Sequence, residues 1–424
     1  AYEVERSLRF NDNDTAYLNR TFGSGGNRKK WTFSAWIKRA NLSDSAGEMR
    51  IFGGNANASH IRWDTSDTIY WDNASEGSGS VNSRLRTSQK FRDSGAWFHL
   101  VCALDTDEGT ADNRMRMYMN GVEITDFGTR TNPSSGYSSN AINAASEHAI
   151  GYRTSGQGSA GMEFDGYMAE INFIDGQQYD PSYFGKTDAI TGQWNPKKYV
   201  GGYGTTGFYL NFSDNSGTTA TTLGKDSSGN GNNFTPNNFS VSAGTGNDSL
   251  EDTPTNNFST INPLAGYSTT FETPANGNLD FSLANSEFAF STFEIPTSGK
   301  WYAEVVFTTF ASGRCGITNL ATKNANKWHG IDHMGGAIRV DDSQVQGSLS
   351  PTIGNNKIVG IKVDRDAGTI AFTVDGSDSG TAVNISSMSS PENLVFAVGR
   401  NSSSGSAPAG SINFGQRAFS HLPT

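Results

Sequence analysis

The sequence predicts an all-β chain, two antiparallel β-sandwiches in series joined by a Gly/Ser/Asn-rich connector. Three observations predict it. Trp97–Val101 (WFHLV) with Met115–Glu123 (MRMYMNGVE) reads as paired strands with an Asn120-Gly121 turn. Val359–Val374 (VGIKVDRDAGTIAFTV) reads as a second pair around Asp366-Ala367-Gly368. In both, apolar and polar residues alternate into and out of a turn, the mark of a hairpin with one buried face. The third observation is composition. With 49 Gly among 424 residues and only 17% charged residues, the chain suits short strands joined by positive-φ turns.

The elements follow in order. Over residues 1–212, short apolar-alternating runs recur at Arg6–Phe10, Trp31–Arg39, Ser59–Asp64, Thr68–Trp71, Phe98–Leu104 and Tyr167–Ile174. Turn clusters separate them at Asn11–Asp14, Gly23–Asn27, Gly77–Gly79 and Asn120-Gly121. Such regular spacing argues for a sandwich rather than βαβ units. Tyr179–Phe184 (YDPSYF) suits one helical turn, with Asp180 as cap and Pro181 at the first position. Residues 213–262 are dominated by Gly, Ser, Asn, Thr and Asp and read as the connector. Phe234, Phe239 and Phe258 recur within it, so an ordered, packed connection stands beside a plain linker. Strand patterns resume over 263–424, including Trp301–Thr308, Arg314–Ile317, Lys357–Val363, Leu394–Val398 and Ser411–Phe414.

Net charge is −10, which disfavours nucleic acid or an anionic membrane as partner of the whole protein. No 18-residue apolar run suits a membrane helix, and AYEVERSLRF at the start lacks a basic-then-apolar signal segment. Cys102 and Cys315, one per expected domain in apolar strand contexts, read as buried free thiols.

The WFHLV and MYMNG segments, followed by Phe164–Ile171 (FDGYMAEI), resemble the laminin-G-like, concanavalin-like jelly-roll family over roughly the first 200 residues. Trp301–Val305 (WYAEV), GIKVD with GTIAF at Gly360–Phe372, and SINFGQ at Ser411–Gln416 resemble the SPRY family over about 280–420. The order of the two modules around DSSGNGNNF is similar to structural or fibre proteins of tailed bacteriophages, particularly marine and cyanobacterial ones. That resemblance implies a non-enzymatic virion protein, a tail or head fibre that binds a host-surface glycan or protein through sandwich rim loops. It implies other virion proteins as partners and a homo-oligomer such as a trimer. A capsid decoration or cement protein without receptor binding is the alternative.

No catalytic constellation stands out. The six histidines show no HExxH spacing and no GxSxG elbow is present. Candidate ligand residues fall in two places. Trp63 and Trp71 flank an expected turn at Thr65–Asp67 and share a sheet face, either as a sugar-stacking pair or as core. Trp328, His329, Asp332 and His333 lie in WHGIDH, read as a ligand-contacting loop or an ordinary turn, since Gly330, Gly335 and Gly336 argue against the helix a metal pair would need. The acidic run Asp105–Gly109 with Asp112 lacks the EF-hand order, and calcium there is set against a solvated hairpin tip. No catalytic residue, resident metal or other cofactor is expected.

Overall fold

The computed structural model describes residues 2–42, 47–54, 59–74, 81–153, 162–266, 274–283, 288–320, 328–400 and 406–423. It is all-β, built of antiparallel sheets with helix confined to short 3-10 turns. The chain divides into two compact units, Ala1–Ser242 with Gly246–Asn257, and Phe258–Thr424 with Ala243–Thr245. Among the described residues no helix is long and apolar enough to cross a membrane.

The first unit opens with β1 (Ser7–Phe10), β2 (Tyr17–Thr21), β3 (Lys30–Arg39), β4 (Met49–Gly54), β5 (His60–Trp63) and β6 (Ile69–Asn73). It continues with β7 (Ser83–Thr87), β8 (Phe98–Asp105), β9 (Met115–Met119), β10 (Val122–Glu123), β11 (Phe127–Thr131) and β12 (Glu147–Ile150). The later strands are β13 (Gly166–Asp175), β14 (Gly185–Thr187), β15 (Trp194–Pro196), β16 (Phe208–Leu210), β17 (Thr235–Asn237) and β18 (Ser249–Leu250). One sheet runs β10-β9-β8-β3-β13-β1-β18, with β16 also on β13; the other runs β11-β7-β6-β5-β4-β12-β2-β17. Rings from the two sheets meet between them. Phe33 of β3 stacks on Phe52 of β4 at 4.9 Å, and Trp31 meets Trp71 at 5.3 Å.

The Asn-Gly turn is present, with φ of 48° at Asn120 and 82° at Gly121. Both central residues in the left-handed region make the two-residue loop that matches strand twist. It joins β9 to β10, with Val122 opposite Met119. The connection from β8 to β9 is instead the longer loop 106–114, so WFHLV and MRMYM pair without the tight turn between them. The turn at Asp180 also forms as the local sequence dictates. The Asp180 carboxylate accepts from Ser182 N and Pro181 begins the 3-10 turn. The Gly77–Gly79 turn lies outside the described residues.

The Gly/Asn-rich stretch is largely a working part of the first unit. β17 adds to β2 and β18 to β1, so the stretch extends both sheets. Within DSSGNGNNF, the Asp226 carboxylate accepts from the backbone N–H groups of Tyr209, Ser228 and Asn232. One side chain thereby folds a loop that has almost no apolar content.

The second unit holds β19 (Ile261–Gly266), β20 (Asp280–Ser282), β21 (Phe288–Ser291), β22 (Lys300–Thr309), β23 (Gly313–Asn319), β24 (Gly330–Met334) and β25 (Ala337–Val340). It closes with β26 (Ser343–Gln346), β27 (Ile358–Asp364), β28 (Thr369–Val374), β29 (Ser377–Asp378), β30 (Val383–Asn384), β31 (Leu394–Arg400) and β32 (Ala409–Asn413). Its sheets run β19-β21-β31-β23-β24-β25-β26 and β20-β32-β22-β27-β28-β29, with β30 also on β28. Ile361, Val363, Phe372 and Val374 point inward against Ile317, Phe396 and Val398. The Asp364 carboxylate accepts from Asp366 N and Ala367 N, which sets the β27–β28 turn. Cys102 and Cys315 are both free and buried.

Candidate functional site

The two tryptophans of the β5–β6 hairpin do share a face. Trp63 lies opposite Ile69 and Trp71 opposite Ile61, so the turn keeps register. The face is the interior one, and both indoles have no exposed surface. Trp63 stacks near Phe164 and meets Phe98 edge-on, while Trp71 lies against Trp31. Neither forms an exposed sugar platform; the facing sheet supplies an aromatic layer that takes them in. WHGIDH is largely strand, with only Trp328 and His329 ahead of it. Gly330–Met334 is strand β24, Trp328, Asp332 and His333 are buried, and His329 is half-buried. His333 Nε2 meets Ser379 Oγ at 2.7 Å. In the acidic run, Lys30 pairs with Asp105 at 2.6 Å, Lys29 with Asp107 at 3.7 Å and Arg130 with Asp112 at 3.2 Å. Among the described residues no three carboxylate, imidazole or thiol groups cluster as metal ligands.

The arrangement with binding chemistry is elsewhere in the first unit. A cleft of about 350 Å³ opens over the outer face of the β3–β8–β9 sheet. Trp36, Trp97 and Trp194 line it together with Asn120, Gln193 and Asn257. Trp36 and His99 are opposite each other on β3 and β8, with rings stacked at 5.0 Å and 20°. His99 and Trp194 lie at 6.1 Å and 22°, so three aromatic planes are nearly parallel.

The hydrogen bonds fix their protonation. The Trp194 indole N–H donates to His99 Nδ1 at 3.1 Å. An indole nitrogen only donates, so Nδ1 carries the lone pair and Nε2 carries the proton. His99 Nε2 then donates to Ser34 Oγ at 2.8 Å. Burial holds this imidazole neutral by pushing its pKa down to about 3.

Two glycines make room for Trp194. A Cβ on Gly121 would lie 2.6 Å from the indole, and one on Gly185 would lie 2.3 Å from it. The opposite wall is also tied down. Trp97 Nε1 donates to Asp252 at 2.8 Å, and Lys38 Nζ donates to Asp252 and to Asn257, each at 2.8 Å. Asn120 Oδ1 accepts from His99 N, while its amide Nδ2 and the Gln193 side chain make no hydrogen bond among the described residues. Trp194 is the half-buried indole here, Trp36 and Trp97 keep only 3% and 9% exposure, and aromatic edges beside unused amides are the chemistry suited to a sugar's apolar face and hydroxyls.

Comparison with known proteins places half of this cleft. Residues 11–178 match the concanavalin A-like lectin/glucanases superfamily. The matched segment contains Trp36, Trp97, His99 and Asn120. Trp194 and Asn257 lie beyond it, so the matched segment supplies part of the lining and chain outside it supplies the rest. No curated protein sequence matches the chain. Among solved structures, the chain is similar to domains LG4-5 of the mouse laminin alpha1 chain, at 10% identity and a TM-score of 0.32, over 97% of this chain and 88% of that one. It is similar to the SPRY domain of human HERC1 at 13% identity and a TM-score of 0.30, over 37% of this chain and 99% of that one. A third is a putative carbohydrate binding protein from Bacteroides ovatus, at 15% identity and a TM-score of 0.34, over 56% of this chain and 59% of that one. At such identities no residue here is equated with one of theirs.

Sequence reasoning passed over Trp36, Trp97 and Trp194. The one signal was Gly192-Gln193-Trp194-Asn195-Pro196, a tryptophan flanked only by polar and turn residues.

Proposed function

We propose that this chain is a non-catalytic glycan-binding protein and that the cleft of Trp36, Trp97 and Trp194 is its saccharide site. The observation that carries the reading is the lining itself: aromatic planes and unused amides, with no carboxylate and no histidine among the described residues that line the space. Glycoside hydrolysis ordinarily needs two carboxyl groups about 5–9.5 Å apart across the scissile bond. Asp252, the carboxylate behind Trp97, is buried and already accepts from Lys38 and Trp97. The ligand favoured by this lining is a neutral sugar.

The finer reading is a virion protein of a tailed phage, a tail or head fibre whose target is a host-surface glycan. It rests on the order of the two modules around DSSGNGNNF. A small open cleft holds one or two sugars weakly, and several copies on one particle multiply that affinity. Homo-oligomerisation belongs to the same proposal.

The test is titration calorimetry of the purified chain against neutral bacterial surface polysaccharides, with Trp194→Ala beside it. Stacking losses of about 1–2 kcal/mol predict roughly 5–30-fold weaker binding by the variant. Equal binding by both proteins, or release of reducing ends from the polysaccharide, would overturn the proposal.

A further inference from the structure

The other sheet of the first unit carries a second, differently charged face. Its strands β4 to β7 place residues directly opposite one another across the sheet: Arg50 by Arg62, Arg62 by Tyr70, and Tyr70 by Arg86. One row along, His60 stands by Asp72 and Asp72 by Arg84. These alternate with Ile61, Trp63, Ile69, Trp71 and Leu85, which point into the core. The polar rows therefore share the outward face. Adjacent strands lie about 4.8 Å apart, so Arg50, Arg62, Tyr70 and Arg86 form a line. Three guanidinium carbons sit over the Tyr70 ring, Arg62 at 4.3 Å, Arg86 at 5.0 Å and Arg84 at 5.1 Å.

The charges on this face do not balance. Arg84 pairs with Asp72, Arg86 with Asp64 at 3.2 Å, and Arg62 with Glu48 at 2.6 Å. His60 adds no charge, because burial pushes its pKa down to about 3. Arg50 has no ion pair among the described residues. It is only 4% exposed, and its Nε and Nη1 have no hydrogen-bond partner. Burial first, and then the charges of Arg62 and Arg153, push its pKa down to about 9. It remains cationic at neutral pH. A buried charge lacking a partner is among the costliest groups a fold can hold. A buried polar group without a partner calls for an explanation, and a bound anion that completes it is one.

We infer that this face binds an acidic saccharide, with a carboxylate or sulfate of the sugar completing Arg50 and the ring extending along Tyr70 towards Arg86. A planar guanidinium fork suits both oxyanions. The Tyr70 hydroxyl makes no hydrogen bond among the described residues and can take a sugar hydroxyl. Arg84 and Arg86 keep about a third of their surface, 33% and 34%, so the line opens to solvent at that end. The whole chain carries a net charge of −10, so this positive island selects by local fit rather than by bulk attraction. The site is separate from the aromatic cleft, lies on the opposite sheet and stands without it.

The test is thermal melting of the full chain at fixed ionic strength with four additions: polygalacturonate, dextran sulfate, neutral dextran and inorganic sulfate. Wild type, Arg50→Met, Arg50→Lys and Trp194→Ala are compared. The expected result is a rise in melting temperature of wild type and Trp194→Ala with at least one acidic polysaccharide and none with neutral dextran. Arg50→Met should melt no lower than wild type when unliganded, since it removes an unpaired charge, and should bind the acidic polymer at least tenfold more weakly. Arg50→Lys keeps the charge and should fall between them. An Arg50→Met protein that responds as wild type does, or a chain equally stabilised by neutral dextran, overturns the site. A response to inorganic sulfate with none to either acidic polymer overturns the saccharide assignment.

Discussion

At the scale of single residues, what matters is which side chains the backbone lets close to one another. Trp194 can lie beside His99 only because Gly121 and Gly185 present no Cβ to it. Gly185 has ordinary strand geometry, so an alanine there is a purely steric change. Overpacking of this kind costs about 1–3 kcal/mol and is relieved by moving the indole out. Gly185→Ala is therefore expected to fold, to melt a few degrees lower, and to lose most saccharide binding; unchanged binding in calorimetry would show that the indole position is immaterial. The same scale shows why the site was hard to read in advance. The Asn120-Gly121 turn was legible because two consecutive positive φ values demand such residues. That Trp63 and Trp71 share a face was legible from parity alone. Whether that face looks inward depends on the opposite sheet, where Trp31, Phe98 and Phe164 wait, and period-2 alternation carries no such information. Trp36 lies in a run, Trp31–Arg39, that is buried on both faces, so its alternation hides which side is the outer one.

At the scale of elements, the Gly/Asn-rich stretch is the instructive case. Composition suggests a linker because it offers little to bury. Its order comes from a few apolar anchors, Leu223, Phe234 and Phe239, set into the core of the first unit, and from polar groups, through the Asp226 loop and through a buried ion pair beside β18. Arg9 of β1 donates to the Asp248 carboxylate from Nε at 3.1 Å and from Nη2 at 2.9 Å, and Arg9 is 1% exposed. The Asp248 main chain is equally bound in: Arg9 N donates to its carbonyl, and its own N–H donates to Ser240. Removing one member of a buried pair leaves the other charge uncompensated, at about 3–5 kcal/mol. Asp248→Ala should lower the stability of the first unit by that order in chemical denaturation. A loss below about 1 kcal/mol would mean the stretch is an accessory to the sheets rather than part of them. Sequence pattern could not supply this, because a single Arg–Asp pair 239 residues apart has no periodic trace.

At the scale of the whole molecule, the two units differ in how their buried titratable groups respond to acid. Each has its own core, so each is expected to give its own thermal transition. In the first unit burial pushes His60 and His99 down to about 3 and His148 down to about 4. These imidazoles stay neutral when folded, but the unfolded chain takes up their protons below about pH 6.5. Their contribution is fully present above that pH and is lost as the pH falls towards the folded values, at up to about 1.4 kcal/mol per pH unit for each. Glu170 and Asp248, both raised by burial, oppose them. In the second unit His333 is pushed down to about 4, while burial raises Asp332 to about 7. Asp332 has the opposite sign. Its protonated folded form stabilises at low pH, and that contribution is lost as the pH rises from about 4 towards 7. Between pH 7 and 5, then, three histidines outnumber the two opposing acids in the first unit, while one histidine and one acid nearly cancel in the second. Calorimetric scans of the full chain across that range should show the transition of the first unit falling and that of the second holding nearly still. Assigning each transition needs one marker, the Asp248→Ala variant, which moves only the first. Parallel movement of both transitions would mean that these burial-driven shifts do not govern the acid response, and with it would go the neutral His99 on which the Trp194 hydrogen bond depends.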